Sequence, residues 1–141
     1  MILTAKEIRN RVDADWNGIL DVVKHRIALK AISSQGIAGD HMRRSAEYVA
    51  SLLQEVGVDA RAVQATGADG QPGAWEVIGS LTVDPEAPTV LLYAHHDVQP
   101  VPDADEWDTD PFTGTQVGDR LYGRGACDDA GGIAIHYGAL K

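Results

Sequence analysis

The sequence predicts an α/β fold, and three observations carry that reading. Two long stretches space their apolar residues by three and four, as amphipathic helices do. Shorter runs beyond them either alternate or are continuously apolar, the two patterns of strands. Helical and strand patterns are interleaved along one chain, with no internal repeat, low-complexity tract or linker to divide it.

The first helix opens on Thr4-x-x-Glu7, a capping box in which each residue satisfies a free backbone amide of the other. Ile8, Val12, Trp16, Ile19, Val23 and Ile27 then form one apolar stripe over about seven turns, with Gly18 weakening the helix without breaking its period. Ser33-Ser34-Gln35-Gly36 ends it. Asp40 is the expected cap of a second helix. Met42, Ala46, Val49, Leu53 and Val56 form its buried face, and Gly57 stands where a helix exits through a left-handed residue. Residues 58–64 read as a short strand, and Asp69-Gly70-Gln71-Pro72-Gly73 as a turn. From Trp75 to Val83 apolar and polar residues alternate, a half-buried strand. Thr89-Val90-Leu91-Leu92-Tyr93-Ala94 is continuously apolar, as a strand covered on both faces would be. A long acidic loop follows, then a short strand near Arg120-Leu121-Tyr122, a glycine-rich turn, and a helix from about Asp129 to the end.

Charge is unevenly distributed. Residues 1–61 carry nine Lys/Arg against eight Asp/Glu, whereas residues 62–141 carry three against thirteen, so the whole net charge of −9 comes from the second part. Clustered acid disfavours a nucleic-acid partner. It fits a solvated loop or carboxylates gathered for a cation. No apolar run approaches the length of about 20 residues that spans a bilayer, and no secretory signal pattern opens the chain, so no membrane partner is expected. Cys127 is the single cysteine, which suits a reducing, cytoplasmic setting.

Two clusters carry chemistry. In α/β sheets ligands bind beyond the carboxyl ends of strands, and the most apolar strand runs straight into His95-His96-Asp97. Alternation along extended chain points His95 and Asp97 one way and His96 the other. His-x-Asp alone is equally a polar turn. The second cluster, Gly123-Arg124-Gly125-Ala126-Cys127-Asp128-Asp129-Ala130-Gly131-Gly132, sets two carboxylates among glycines at a helix start, where the helix dipole alone also favours acids. It has Asp128 where a dinucleotide loop needs its third glycine, and no Lys-Ser/Thr follows as in a phosphate loop. The loop from Asp103 lacks the acid and glycine positions of an EF-hand.

Together these clusters resemble the zinc-dependent metallohydrolases that include dipeptidases, carnosinase-like enzymes, aminoacylases, glutamate carboxypeptidases, acetylornithine deacetylase and succinyl-diaminopimelate desuccinylase. The resemblance runs from Pro88 through Tyr93-Ala94-His95-His96-Asp97-Val98-Gln99-Pro100-Val101. It resumes at Trp107-Asp108-Thr109-Asp110-Pro111-Phe112 and again at Gly118-Asp119-Arg120-Leu121-Tyr122-Gly123-Arg124-Gly125. Asp97-Val98-Gln99-Pro100-Val101 is similar to the dipeptidase branch.

The resemblance implies the N-terminal part of a catalytic domain with a central sheet flanked by helices, spanning residues 1–141, incomplete and without the lid and dimerisation domain. It implies that His95 and Asp128 are metal ligands, Asp128 bridging two zinc ions, and that Asp97 is the catalytic-site residue orienting His95. It further implies a cis peptide after Asp128. The implied reaction is metal-assisted hydrolysis of an amide or peptide bond in a dipeptide or small N-acyl amino acid, with Mn2+ or Co2+ as further candidates by ligand type. The family's Glu-Glu pair, its next carboxylate ligand and its distant histidine all fall beyond Lys141. This chain would therefore supply part of the site, and a homodimer is expected only of a complete enzyme. The alternative is a truncated, non-catalytic remnant that binds metal weakly; a cation-binding module unrelated to hydrolysis fits less well. Two residues depart from the family pattern: Ala130 stands at its usual Lys and Ala94 at a common Gly.

Other residues have plainer readings. His96 is the variable position inside the motif. His25, His41 and His136 are expected to cap, pack or face solvent. Cys127 is expected to be small and buried. Trp107 and Phe112 are expected to pin the acidic loop to the body.

Overall fold

The computed structural model describes residues 3–141. Its elements run α1 (Ala5–Ala28), α2 (Asp40–Glu55), β1 (Asp59–Thr66), β2 (Pro72–Ser80), β3 (Thr115–Val117), β4 (Arg120–Tyr122) and α3 (Gly131–Leu140). The mixture of helix and strand is the class expected. Among the described residues the strands pair as two separate antiparallel hairpins, β1 with β2 and β3 with β4. Among the described residues no helix is long and apolar enough to cross a membrane.

The core is a three-helix seam. Val22, Val23 and Ile27 of α1, Val49 and Leu52 of α2, and Ile133, Ala134 and Tyr137 of α3 bury one another, with Ala130 beneath the start of α3. The β1–β2 hairpin packs on α2. Helix starts and stops follow from local chemistry. Thr4 and Glu7 form the complete capping box. At the far end of α2, Gly57 has φ +86. Its amide donates to the carbonyl of Gln54 and the amide of Val58 to that of Leu53, so two otherwise free carbonyls are satisfied.

Four expectations are corrected. The cap of α2 is Gly39, and Asp40 is the first helical residue, where its carboxylate pairs with Arg43 and Arg44 one turn on. The last helix begins at Gly131, because Asp128 (φ −122) and Asp129 (φ −133) leave helical geometry. Only the C-terminal half of the α1 stripe is buried; Ile8, Val12 and Trp16 project beyond the span that α2 and α3 cover. The run Thr89–Ala94 pairs with no strand among the described residues. Val90, Leu91 and Tyr93 are exposed, because no neighbouring strand lies alongside to cover them.

Candidate metal centre

The chain bearing His95-His96-Asp97 is extended, and it is fastened just beyond the motif. The amide of Val98 donates to the carbonyl of Ala31 at 2.8 Å, within an isolated parallel bridge between Val98 and Ile32. His95 and Asp97 face the same way, as alternation requires: His95 Nδ1 lies 3.0 Å from Asp97 Oδ1. His96 faces the other way, its Nε2 2.8 Å from the carbonyl of Trp75 and its Nδ1 2.9 Å from Ser45 Oγ. Both ring nitrogens of His96 are thus engaged inside the fold, which makes it a tie rather than a ligand.

The second cluster arrives on a turn from Gly125 to Ala130. Gly125 has φ +81, a left-handed conformation that glycine adopts at little cost. A Cβ there would lie 2.4 Å from Val98 Cγ1, so the two site-bearing segments touch at this point. The Asp128–Asp129 peptide is cis, as the resemblance implied. The turn divides the two carboxylates between different tasks. Asp129 points inward: Oδ2 accepts from the amide of His95 at 3.1 Å, and Oδ1 from the amide of Gly132 at 3.1 Å. Asp128 points outward, its side chain 84% exposed, and its Oδ1 meets His95 Nε2 at 2.7 Å across 33 residues of sequence.

His95 therefore has a carboxylate on each ring nitrogen. Partial burial disfavours its charge, but the hydrogen bonds to Asp128 and Asp97 prevail and raise its pKa above the ordinary value. Asp97 moves the other way. Burial alone would raise it, while hydrogen bonds from Ser33 and His95 hold it below the usual carboxylate range. His96 is pushed down, first by burial and then by the nearby Arg26 charge. A neutral His96 that donates from Nε2 to Trp75 and accepts from Ser45 at Nδ1 fits its two partners.

His95, Asp97 and Asp128, the three residues singled out by sequence, thus converge. Among the described residues, no three His, Cys, Asp or Glu side chains gather as a metal cluster. The pair His95 Nε2 and Asp128 Oδ1 still fits a cation in donor type. Nε2 is aimed outward because Nδ1 is held by Asp97, and the facing carboxylate is open to solvent. The inward role of Asp129 has a legible sign in sequence: an acid three residues before Gly132 at a helix start accepts from the helix amides. Arg26 and Ser45, both buried, were missed. The remaining histidines are small fixtures: His41 on the carbonyl of Ile32, His136 on that of Tyr93, and His25 stacked on Tyr48. Cys127 is exposed, not buried, since its turn carries it to the surface. Trp107 stacks under Arg124 and Phe112 under Lys30, which fastens the acidic loop as expected.

Residues 91–141 match the family model Peptidase family M20/M25/M40. This chain belongs to that family. Several curated relatives that it matches are dipeptidases by name. It is 36% identical to a Beta-Ala-His dipeptidase of Mus musculus over 82% of this chain and 22% of that protein. It is 30% identical to the Cys-Gly metallodipeptidase dug1 of Schizosaccharomyces pombe over 100% of this chain and 31% of that protein. Human carnosine dipeptidase 1 superposes with a TM-score of 0.85 at 29% identity, over 96% of this chain and 30% of that one. The chain thus spans less than a third of the length of these relatives.

Proposed function

We propose that residues 1–141 form the N-terminal portion of the metal-binding domain of an M20 dipeptidase, and that His95 and Asp128 are metal ligands oriented by Asp97. The observation that carries this reading is the 2.7 Å approach of His95 Nε2 to Asp128 Oδ1, with Asp97 behind the same imidazole. A hydrogen-bonded pair holds a proton where a cation would sit. Asp97 accepts from Nδ1 and so fixes the tautomer that offers the Nε2 lone pair. Zinc suits a mixed imidazole–carboxylate set, and Mn2+ or Co2+ are chemically related candidates. When bound, such a metal supplies Lewis acidity for hydrolysis of an amide bond in a dipeptide or small N-acyl amino acid. The setting proposed is cytoplasmic.

The test is metal-dependent dipeptide hydrolysis by an enzyme of full family length bearing this segment. His95→Ala and Asp128→Ala are each expected to abolish turnover; activity retained in both would refute the assigned roles. A second reading, a non-catalytic chain that binds metal weakly, is favoured for the 141 residues alone, since just two candidate ligands meet among the described residues. This chain with added zinc should show no dipeptide turnover, and measurable turnover would overturn that reading.

A further inference from the structure

Arg26 lies in the α1 seam among Val22, Val23 and Ile27, and is 2% exposed. Burial lowers its pKa to about 10, which leaves it charged at neutral pH. A buried charge costs several kcal/mol unless its donors are satisfied. No carboxylate forms an ion pair with it among the described residues. Only its two terminal nitrogens are partnered among the described residues, while Nε has no partner. Nη1 donates to Ser45 Oγ at 2.6 Å, and Nη2 donates to the carbonyl of His96. Ser45 is fully buried, and its Oγ stands 2.9 Å from His96 Nδ1 and 3.0 Å from the same carbonyl. That carbonyl belongs to the peptide joining His96 to Asp97. On the opposite side, Asp129 holds the amide of His95. Among the described residues no strand pairs with this segment, so these ties and the Val98 bridge fix its height.

We propose that Arg26 is a positioning residue: through Ser45 and the carbonyl of His96, it sets where His95 and Asp97 stand relative to Asp128. The inference rests on the metal-site reading above for its consequence, but not for its geometry. Loss of residues that orient metal ligands typically costs about 10–100-fold in affinity, and an indirect tie belongs at the lower end.

The experiment uses the 141-residue chain and Co2+ as the probe, with affinity read from the cobalt visible absorption. Arg26→Met is expected to weaken Co2+ binding about tenfold, and Ser45→Ala, which removes one link, by less. Arg26→Lys keeps the charge without the two-pronged donor geometry and should recover only part of the loss. Val23→Ala is the control, since it loosens the same seam without touching the loop. It should lower the unfolding temperature while leaving Co2+ affinity unchanged. Equal affinities for Arg26→Met and wild type, or equal losses for Arg26→Met and Val23→Ala, would overturn the proposal. His95→Ala tests the reading beneath it: binding unaffected by that change would sink the metal site itself. The positioning role is then judged on the metal-free amide spectrum. Arg26→Met should shift residues 94–98 while Val23→Ala does not, and the absence of that difference would overturn it independently of metal.

Discussion

Gly125→Ala should destabilise the chain by about 2–4 kcal/mol, for two separable reasons. Gly125 has φ +81, where a side chain costs about 1 kcal/mol or slightly more. Its new methyl would also lie 2.4 Å from Val98 Cγ1, and Val98 is 6% exposed with little room to retreat. Overpacking of this kind costs about 1–3 kcal/mol. Urea unfolding followed by far-UV circular dichroism reads the sum. With a slope of about 2 kcal/mol per molar, the midpoint should fall by roughly 1–2 M at unchanged slope. Val98→Ala separates the causes: it deletes Cγ1 and leaves the Val98 Cβ at 3.5 Å, an ordinary contact. The double variant should therefore lose less than the two single losses combined, by about 1–3 kcal/mol. Strict additivity would mean the clash is absent and the glycine serves only its backbone angle. A loss below about 0.5 kcal/mol for Gly125→Ala would refute both terms, since surface substitutions alone fall in that range.

Three further outcomes are expected. Ile27→Ala should cost about 3–4 kcal/mol and Trp16→Ala less than about 1 kcal/mol by the same unfolding assay, although the two share one stripe, because Ile27 is 1% exposed and Trp16 is 52% exposed. In the metal-free chain, imidazole resonances should titrate above 6.5 for His95 and below 6.5 for His96, and Asp128→Asn should lower the His95 value; a His95 midpoint at or below 6.5 in wild type would contradict the paired geometry. Stability follows by linkage. The His95 contribution is complete below 6.5 and lost as pH rises through its raised folded value, while that of His96 is complete above 6.5 and lost as pH falls through its lowered one. The urea midpoint should decline on both sides of 6.5, and His95→Gln should remove only the alkaline decline.

Local chemistry made much of the fold and site legible. The Thr4–Glu7 box, the Gly57 exit and the strands near residues 59–66 and 120–122 were readable because each depends on neighbours in sequence. The opposed directions of His95 and His96 follow from alternation along extended chain. The burial of Arg26 runs against residue type, because a guanidinium among valines normally marks the edge of a helix face. The position itself carried a signal: residue 26 is four from Val22 and three from Val23, hence on their face. Ser45 stands in the same relation to Met42 and Val49 on α2. What no local rule supplies is that these two faces meet beneath the carbonyl of His96.

The apolar run before His95 is where local pattern and this chain part company. Continuous hydrophobicity over Thr89–Ala94 specifies coverage on both faces, and coverage depends on what lies alongside, not on the run itself. Val90, Leu91 and Tyr93 are exposed, Leu91 at 88%. A fully buried leucine contributes about 1.5–3 kcal/mol, none of which is realised at such exposure. Leu91→Lys discriminates sharply. In the monomeric chain it should change the unfolding free energy by less than about 0.5 kcal/mol, as an ordinary surface change does. It should also raise solubility, since a charged residue blunts an unpaired strand edge. A loss of about 2 kcal/mol or more that grows with protein concentration would mean the run is covered in solution by a second copy. A similar loss independent of concentration would mean the segment folds back into its own chain, contrary to its exposed path.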